Sequence, residues 1–167
     1  VQVQSDGRIS VATGIGTQGQ GHFTSYAQIV ADQLGVKPSD VDVVTGDTDQ
    51  FHWGAGTFAS RGAVVAGNAI NAAAKNVREK TLRQASSHLD NVPIDQLEIV
   101  DGQVQIKDVP ESAIPLSELA QMANPMRGAV APGTEPGLES SDYFGPKYGA
   151  TASGVHAMII EIDPETM

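Results

Sequence analysis

Two short stretches carry residue types suited to gripping an oxygen-rich ligand. One is Gln18-Gly19-Gln20-Gly21-His22 and the other is Thr57-Phe58-Ala59-Ser60-Arg61. Glycines let backbone N–H groups come close to a ligand, and the positive end of a following helix favours an anion there. The Gln18 and Gln20 amides both donate and accept, which suits a ligand presenting ring nitrogens together with phosphate oxygens. Thr57 and Ser60 add hydroxyls, and Arg61 can hold a phosphate through two parallel hydrogen bonds. A plainer reading is open for each stretch. The first can be a glycine-rich turn with glutamines in water, and the second an ordinary helix start with Ser60 as N-cap and Arg61 paired to Asp47 or Asp49.

The elements around these stretches are readable from periodicity. Val1–Gln4 and Ile9–Ala12, joined through Asp6-Gly7, read as a β-hairpin. A glycine-rich loop from Gly14 to Gly21 follows. Next comes an amphipathic helix from about His22 to Leu34, with Phe23, Tyr26, Ala27, Val30, Ala31 and Leu34 at helical spacing and Gly35 as its stop. Pro38-Ser39-Asp40 turns the chain into a strand over Val41–Thr45. If that strand lies beside Ile9–Ala12, both loops leave the same sheet edge and two helix N-termini face one ligand. The longest helix runs from about 62 to 89. It is alanine-rich at first and charged from Lys75 onward, so burial is expected for its first half. At 1.5 Å per residue it would reach about 40 Å.

Beyond it, Leu97–Val100 and Gln103–Ile106 form a second hairpin across Asp101-Gly102, and a short helix covers Leu116–Met122. Residues 124–150 read as a long loop rich in proline and glycine, and a last strand is expected at about Ser153–Ile162. The fold class is α+β: a mixed β-sheet with hairpins packed against two main helices. Residues 1–167 are expected to form a single domain. With no initiator methionine, and a C-terminus at the start of a turn, they read as part of a larger polypeptide.

Gly14-Ile15-Gly16-Thr17-Gln18-Gly19 literally fits G-x-G-x-x-G after a strand and before a helix, the dinucleotide-binding pattern. Two features count against that reading. The preceding strand belongs to a hairpin and alternates polar with apolar residues, where a central parallel strand would be apolar throughout. The glycine run also continues to Gly21, which keeps the third glycine of the pattern out of the helix.

Composition narrows the partners. Apolar residues make up 40% and charged residues 18%, a globular balance. The net charge of −10, with no basic stripe, argues against nucleic acid. The absence of cysteine excludes a thiolate zinc site or an iron–sulfur cluster held by these residues. No apolar run reaches the ~20 residues a membrane helix needs, and Val1-Gln2-Val3-Gln4 does not read as a signal peptide; the expected location is cytoplasmic. His22, His52, His88 and His156 show no ligand spacing, and no metal site is assigned. Asp47 and Asp49 read as loop-ordering residues, Phe51-His52-Trp53 as pocket, interface or core aromatics, and Lys75–Arg83 as a solvated helix face.

Thr17-Gln18-Gly19-Gln20-Gly21-His22-Phe23-Thr24, with Tyr26-Ala27-Gln28-Ile29, resembles the cofactor-binding segment of molybdenum hydroxylases. The likeness is to the molybdopterin-binding large subunit of aerobic carbon monoxide dehydrogenase and of xanthine dehydrogenase and aldehyde oxidase proteins. Gly46-Asp47-Thr48-Asp49 and Gly56-Thr57-Phe58-Ala59-Ser60-Arg61 resemble the family's next cofactor-binding loop. Gly154-Val155-His156-Ala157 through Glu161-Ile162-Asp163-Pro164 looks like a later strand of the same domain.

The resemblance implies a molybdopterin cofactor, commonly its cytosine dinucleotide form. Residues 18–22 would lie against pterin and pyrophosphate, and Thr57, Phe58, Ser60 and Arg61 against the phosphate and nucleotide part. It further implies an oxidoreductase that hydroxylates a substrate carbon with oxygen from water. Electrons would leave through iron–sulfur and flavin domains or subunits. The family's catalytic glutamate lies in a later glycine-rich motif that nothing before Met167 matches, so no catalytic residue is assigned and these residues alone are expected to be inactive. The alternative is a non-enzymatic ligand-binding or interaction domain whose glycine loops are turns and whose 124–150 loop is the binding surface.

Overall fold

The computed structural model describes residues 1–51, 53–127, 133, 135–149 and 153–167. His52 and parts of the 124–150 loop fall outside that set.

β1 (Gln2–Val3) and β2 (Ile9–Thr13) pair antiparallel, as the Asp-Gly turn predicts. At that turn Gly7 has φ 89°, and the Asp6 carboxylate accepts the Arg8 N–H at 3.0 Å. β3 (Val41–Thr45) lies parallel to β2, with Ile9 opposite Val41 and Thr13 opposite Thr45. The connection is α1 (His22–Leu34), which buries Tyr26, Ala27, Val30, Ala31 and Leu34 at helical spacing. Phe23, expected on that face, is half-exposed, because its position at the first turn lies at the edge of the packed stripe. Gly35 ends α1 with φ 58°, its N–H bonded to the Ala31 carbonyl. A Cβ there would also collide with the Ile99 carbonyl oxygen, so only glycine fits.

The long helix has two parts. A π-helical segment, Gly62–Gly67, leads into α2 (Asn68–His88). Burial does not stop at Lys75 as the charge pattern predicts. Val77, Thr81, Leu82, Gln84 and Ala85 are buried too, because a second layer covers that half. This layer consists of β4 (Leu97–Val100), β5 (Gln103–Ile106), β6 (Val109–Pro115) and α3 (Leu116–Met122), with α2 packed against β4, β5 and α3. The charged residues ring the buried stripe. Arg78 donates to the Gln33 carbonyl at the C-terminus of α1 (2.8 Å), where a cation complements the helix dipole. Lys80 pairs with Glu135 at 2.9 Å.

The sheet of β1, β2 and β3 is mixed, and that of β4, β5 and β6 is antiparallel. Both contribute to one hydrophobic core. The α+β class, the hairpins and the long helix agree with the sequence reading.

The strand expected at Ser153–Ile162 does not form. Residues 153–163 carry no strand hydrogen bonding and are exposed throughout, with Ile159 fully open to solvent. A strand exists only by pairing, and no described residue of this chain offers it a ladder. Its end nonetheless turns, with the Met167 N–H bonded to the Asp163 carbonyl at 2.8 Å. No helix among the described residues is long and apolar enough to cross a membrane.

Candidate cofactor-binding site

Parallel pairing of β2 and β3 ends both strands at one sheet edge, at Thr13 and Thr45. The loops 14–21 and 46–61 therefore emerge side by side. In open α/β arrangements ligands bind outside the carboxyl ends of such strands. The loops also touch. The Thr57 hydroxyl donates to the Gly16 carbonyl at 2.6 Å, and a Cβ on Gly14 would strike the Trp53 carbonyl oxygen and Gly54.

Within the first loop, the Gln20 side-chain oxygen accepts the Gln18 N–H at 2.5 Å and the Thr17 hydroxyl at 3.3 Å. Gln18, Gly19, Gln20 and Gly21 are exposed. Gly19 and Gly21 hold φ 105° and 77°, the left-handed region that glycine adopts without strain. Gly21 is the N-cap of α1, and it has no side chain to cap the first N–H groups.

His22, the histidine set apart by its place beside the glycine loop, is buried. It is 6% exposed, its ring stacked on Tyr26 with centroids 4.8 Å apart. Its Nδ1 is buried and has no hydrogen-bond partner among the described residues.

In the second loop, Ala59 and Ser60 both hold left-handed backbone, φ 51° and 52°. Non-glycine residues in this region cost about 1–3 kcal/mol each and cluster at functional sites. The turn is closed by the Arg61 N–H, which donates to the Phe58 carbonyl at 3.2 Å. It delivers the Arg61 guanidinium over the Phe58 ring, 4.7 Å from the centroid. The ordinary roles weighed for this loop are not adopted. Arg61, not Ser60, is the N-cap, and no side-chain capping bond forms. Asp47 instead accepts the Asp49 N–H (3.0 Å) and the Gln50 side-chain amide (2.8 Å). Arg61 makes no ion pair among the described residues.

Beside the second loop lies a cavity of about 400 Å³, bordered by Gly14, Phe51, Trp53, Arg61, Tyr143 and Phe144. Residues 18–22 lie outside its lining. Phe51 and Trp53 thus serve a pocket wall and not the core. His88 meets the Gln84 amide at 3.0 Å, and among the described residues no three His, Asp or Glu side chains form a cation cluster.

What these loops can do is present uncapped backbone N–H groups, amides, a hydroxyl and a guanidinium to one polyanionic, nitrogen-bearing ligand. Comparison with known proteins agrees with that chemistry. The model of the molybdopterin cofactor-binding domain matches residues 1–167, and the chain belongs to this family. It is 32% identical to the nicotine 6-hydroxylase large subunit of Paenarthrobacter nicotinovorans, over 99% of this chain and 20% of that protein. It is likewise 32% identical to the carbon monoxide dehydrogenase large chain of Afipia carboxidovorans, with the same coverage. The crystal structure of quinoline 2-oxidoreductase from Pseudomonas putida 86 superposes with a TM-score of 0.76 at 35% identity. That match covers 87% of this chain and 18% of the other. The chain thus spans about a fifth of the length of these relatives.

Proposed function

We propose that residues 1–167 form a single domain that holds the molybdopterin cofactor within a larger subunit of a molybdenum hydroxylase. Gln18, Gly19, Gln20, Gly21 and His22 take the pterin and pyrophosphate. Thr57, Phe58, Ser60 and Arg61 take the phosphate and nucleotide part of a cytosine dinucleotide form. The observation that carries this reading is the meeting of the two loops at one sheet edge, tied by the Thr57–Gly16 bond. The residues present fit the group. The N-terminus of α1 has no side-chain cap, the loop in front of it is glycine-lined, and a buried imidazole nitrogen at its first residue lacks a partner among the described residues.

When bound, the cofactor would supply the redox chemistry for hydroxylation of a substrate carbon with oxygen from water. These residues bind and orient it, and none of them is assigned to the reaction itself. Partners are the remainder of the subunit, iron–sulfur and flavin domains or subunits that carry electrons away, and a small-molecule substrate, in the cytoplasm. Quantifying pterin and molybdenum in the complete subunit carrying Gln20→Ala or Arg61→Ala tests the reading. Occupancy falls in both variants; full occupancy in both overturns the assignment.

A further inference from the structure

Tyr26 stands apart from the other core residues of α1. It is fully buried, yet its hydroxyl reaches across to the second helix start and donates to the Gly62 carbonyl at 3.2 Å. Its ring face carries the His22 imidazole, the planes 21° apart. Gly62 closes the triangle. A Cβ there would collide with Nε2 of His22 and come within 3.4 Å of the Tyr26 hydroxyl oxygen. The first residue of α1 and the first residue after Arg61 are therefore in direct register through one side chain. Burial pushes the Tyr26 pKa up, so the hydroxyl stays protonated and remains a donor across the physiological range.

We infer that Tyr26 is a positioning residue for the cofactor site. Through its ring it fixes His22 at the end of the first loop, and through its hydroxyl it fixes Gly62, and so Arg61, at the end of the second. This rests on the reading that both loops hold one cofactor. A buried phenol in a helix core could be Phe if packing were its whole task. Among the described residues the hydroxyl makes one hydrogen bond, and its partner belongs to the other loop's helix. Gly62 is the complementary requirement, since the close approach of His22 leaves no room for a side chain.

The test uses the complete subunit with Tyr26→Phe, which keeps the ring and removes the hydroxyl. Pterin is measured by fluorescence after oxidation, over a dilution series. Loss of one positioning hydrogen bond corresponds to about a fivefold weaker retention of cofactor. Gly62→Ala is expected to lower retention at least as much, through displacement of His22. Val77→Ala, in the same core but packed away from both loops, serves as a control for plain destabilisation and is expected to keep its pterin at a comparable fall in melting temperature. Full retention in Tyr26→Phe, under conditions where Gln20→Ala and Arg61→Ala lose pterin, overturns the inference and leaves the cofactor reading standing. Equal pterin loss in Val77→Ala at equal destabilisation also overturns it, as the effect would then be one of stability alone. Full retention in Gln20→Ala and Arg61→Ala as well is the separate failure of the cofactor reading.

Discussion

The hydroxyl of Thr57 donates to the carbonyl of Gly16, 41 positions earlier in the chain. Thr57 is only partly buried, and the bond is short and bridges two loops that follow different strands, β2 and β3. Thr57→Val keeps the shape and removes the donor. Stability of the complete subunit should fall by about 1 kcal/mol, the usual net worth of such a bond. Pterin content should fall further than that loss of stability explains, because loop spacing changes. Thermal melting and pterin fluorescence on the same samples check this.

Arg61 is poised without an anionic partner among the described residues, its guanidinium resting on Phe58. Arg61→Lys keeps the charge but loses the planar fork and the stacking. Cofactor occupancy is expected to drop while the melting temperature of cofactor-free subunit stays within about 2 °C, as surface changes usually do. Equal occupancy in the two proteins would show that a point charge suffices.

Gly35 sits where the first sheet layer meets the second, under the Ile99 carbonyl. Gly35→Ala imposes both a left-handed Cβ and a backbone collision. Destabilisation of at least about 2 kcal/mol is expected. Urea titration measures it, with a lower midpoint and unchanged slope.

Arg8 holds Asp42 through two hydrogen bonds, 2.9 and 2.7 Å, across the β2–β3 pair. The Arg8 hydrogen bond and charge pull the Asp42 pKa below its ordinary value of 3.8. A depressed carboxylate contributes stability that is present above the unfolded value and is lost as pH falls through the folded one. Asp42→Asn should therefore lower the melting temperature slightly at neutral pH. The difference from the parent should shrink as pH falls through the folded Asp42 pKa, below which the parent also lacks the charge.

Where glycine and proline punctuate the chain, the sequence was sufficient. Gly35 and Pro38 bracket α1 and β3, and the bounds of both elements match the reading made from periodicity. β6 was missed because Val109-Pro110-Glu111-Ser112 neither alternates nor avoids proline, and it pairs with β5 through an irregular register. The burial of the second half of α2 was illegible for a different reason. Thr81 and Gln84 are polar, and only the β4–β6 layer makes their face an interior one. At the candidate site, residue types and the shared strand edge were readable, since a parallel pair forces two loops to one side. His22 stacks on Tyr26 one helical turn on, but the reach of Tyr26 to Gly62 spans 36 positions, which no local pattern encodes.

The extended segment 153–163 has one more consequence, in colloidal behaviour. Val155, Met158, Ile159, Ile160 and Ile162 point into solvent on a backbone with no ladder partner among the described residues. Met158, Ile159 and Ile160 are consecutive, so both sides of the ribbon carry apolar side chains. Such a ribbon is a template for strand addition between molecules. The net charge of −10 works against it by mutual repulsion. Residues 1–167 produced by themselves should then stay dispersed in dilute buffer and self-associate as salt shortens the screening length, which light scattering along a salt gradient would reveal.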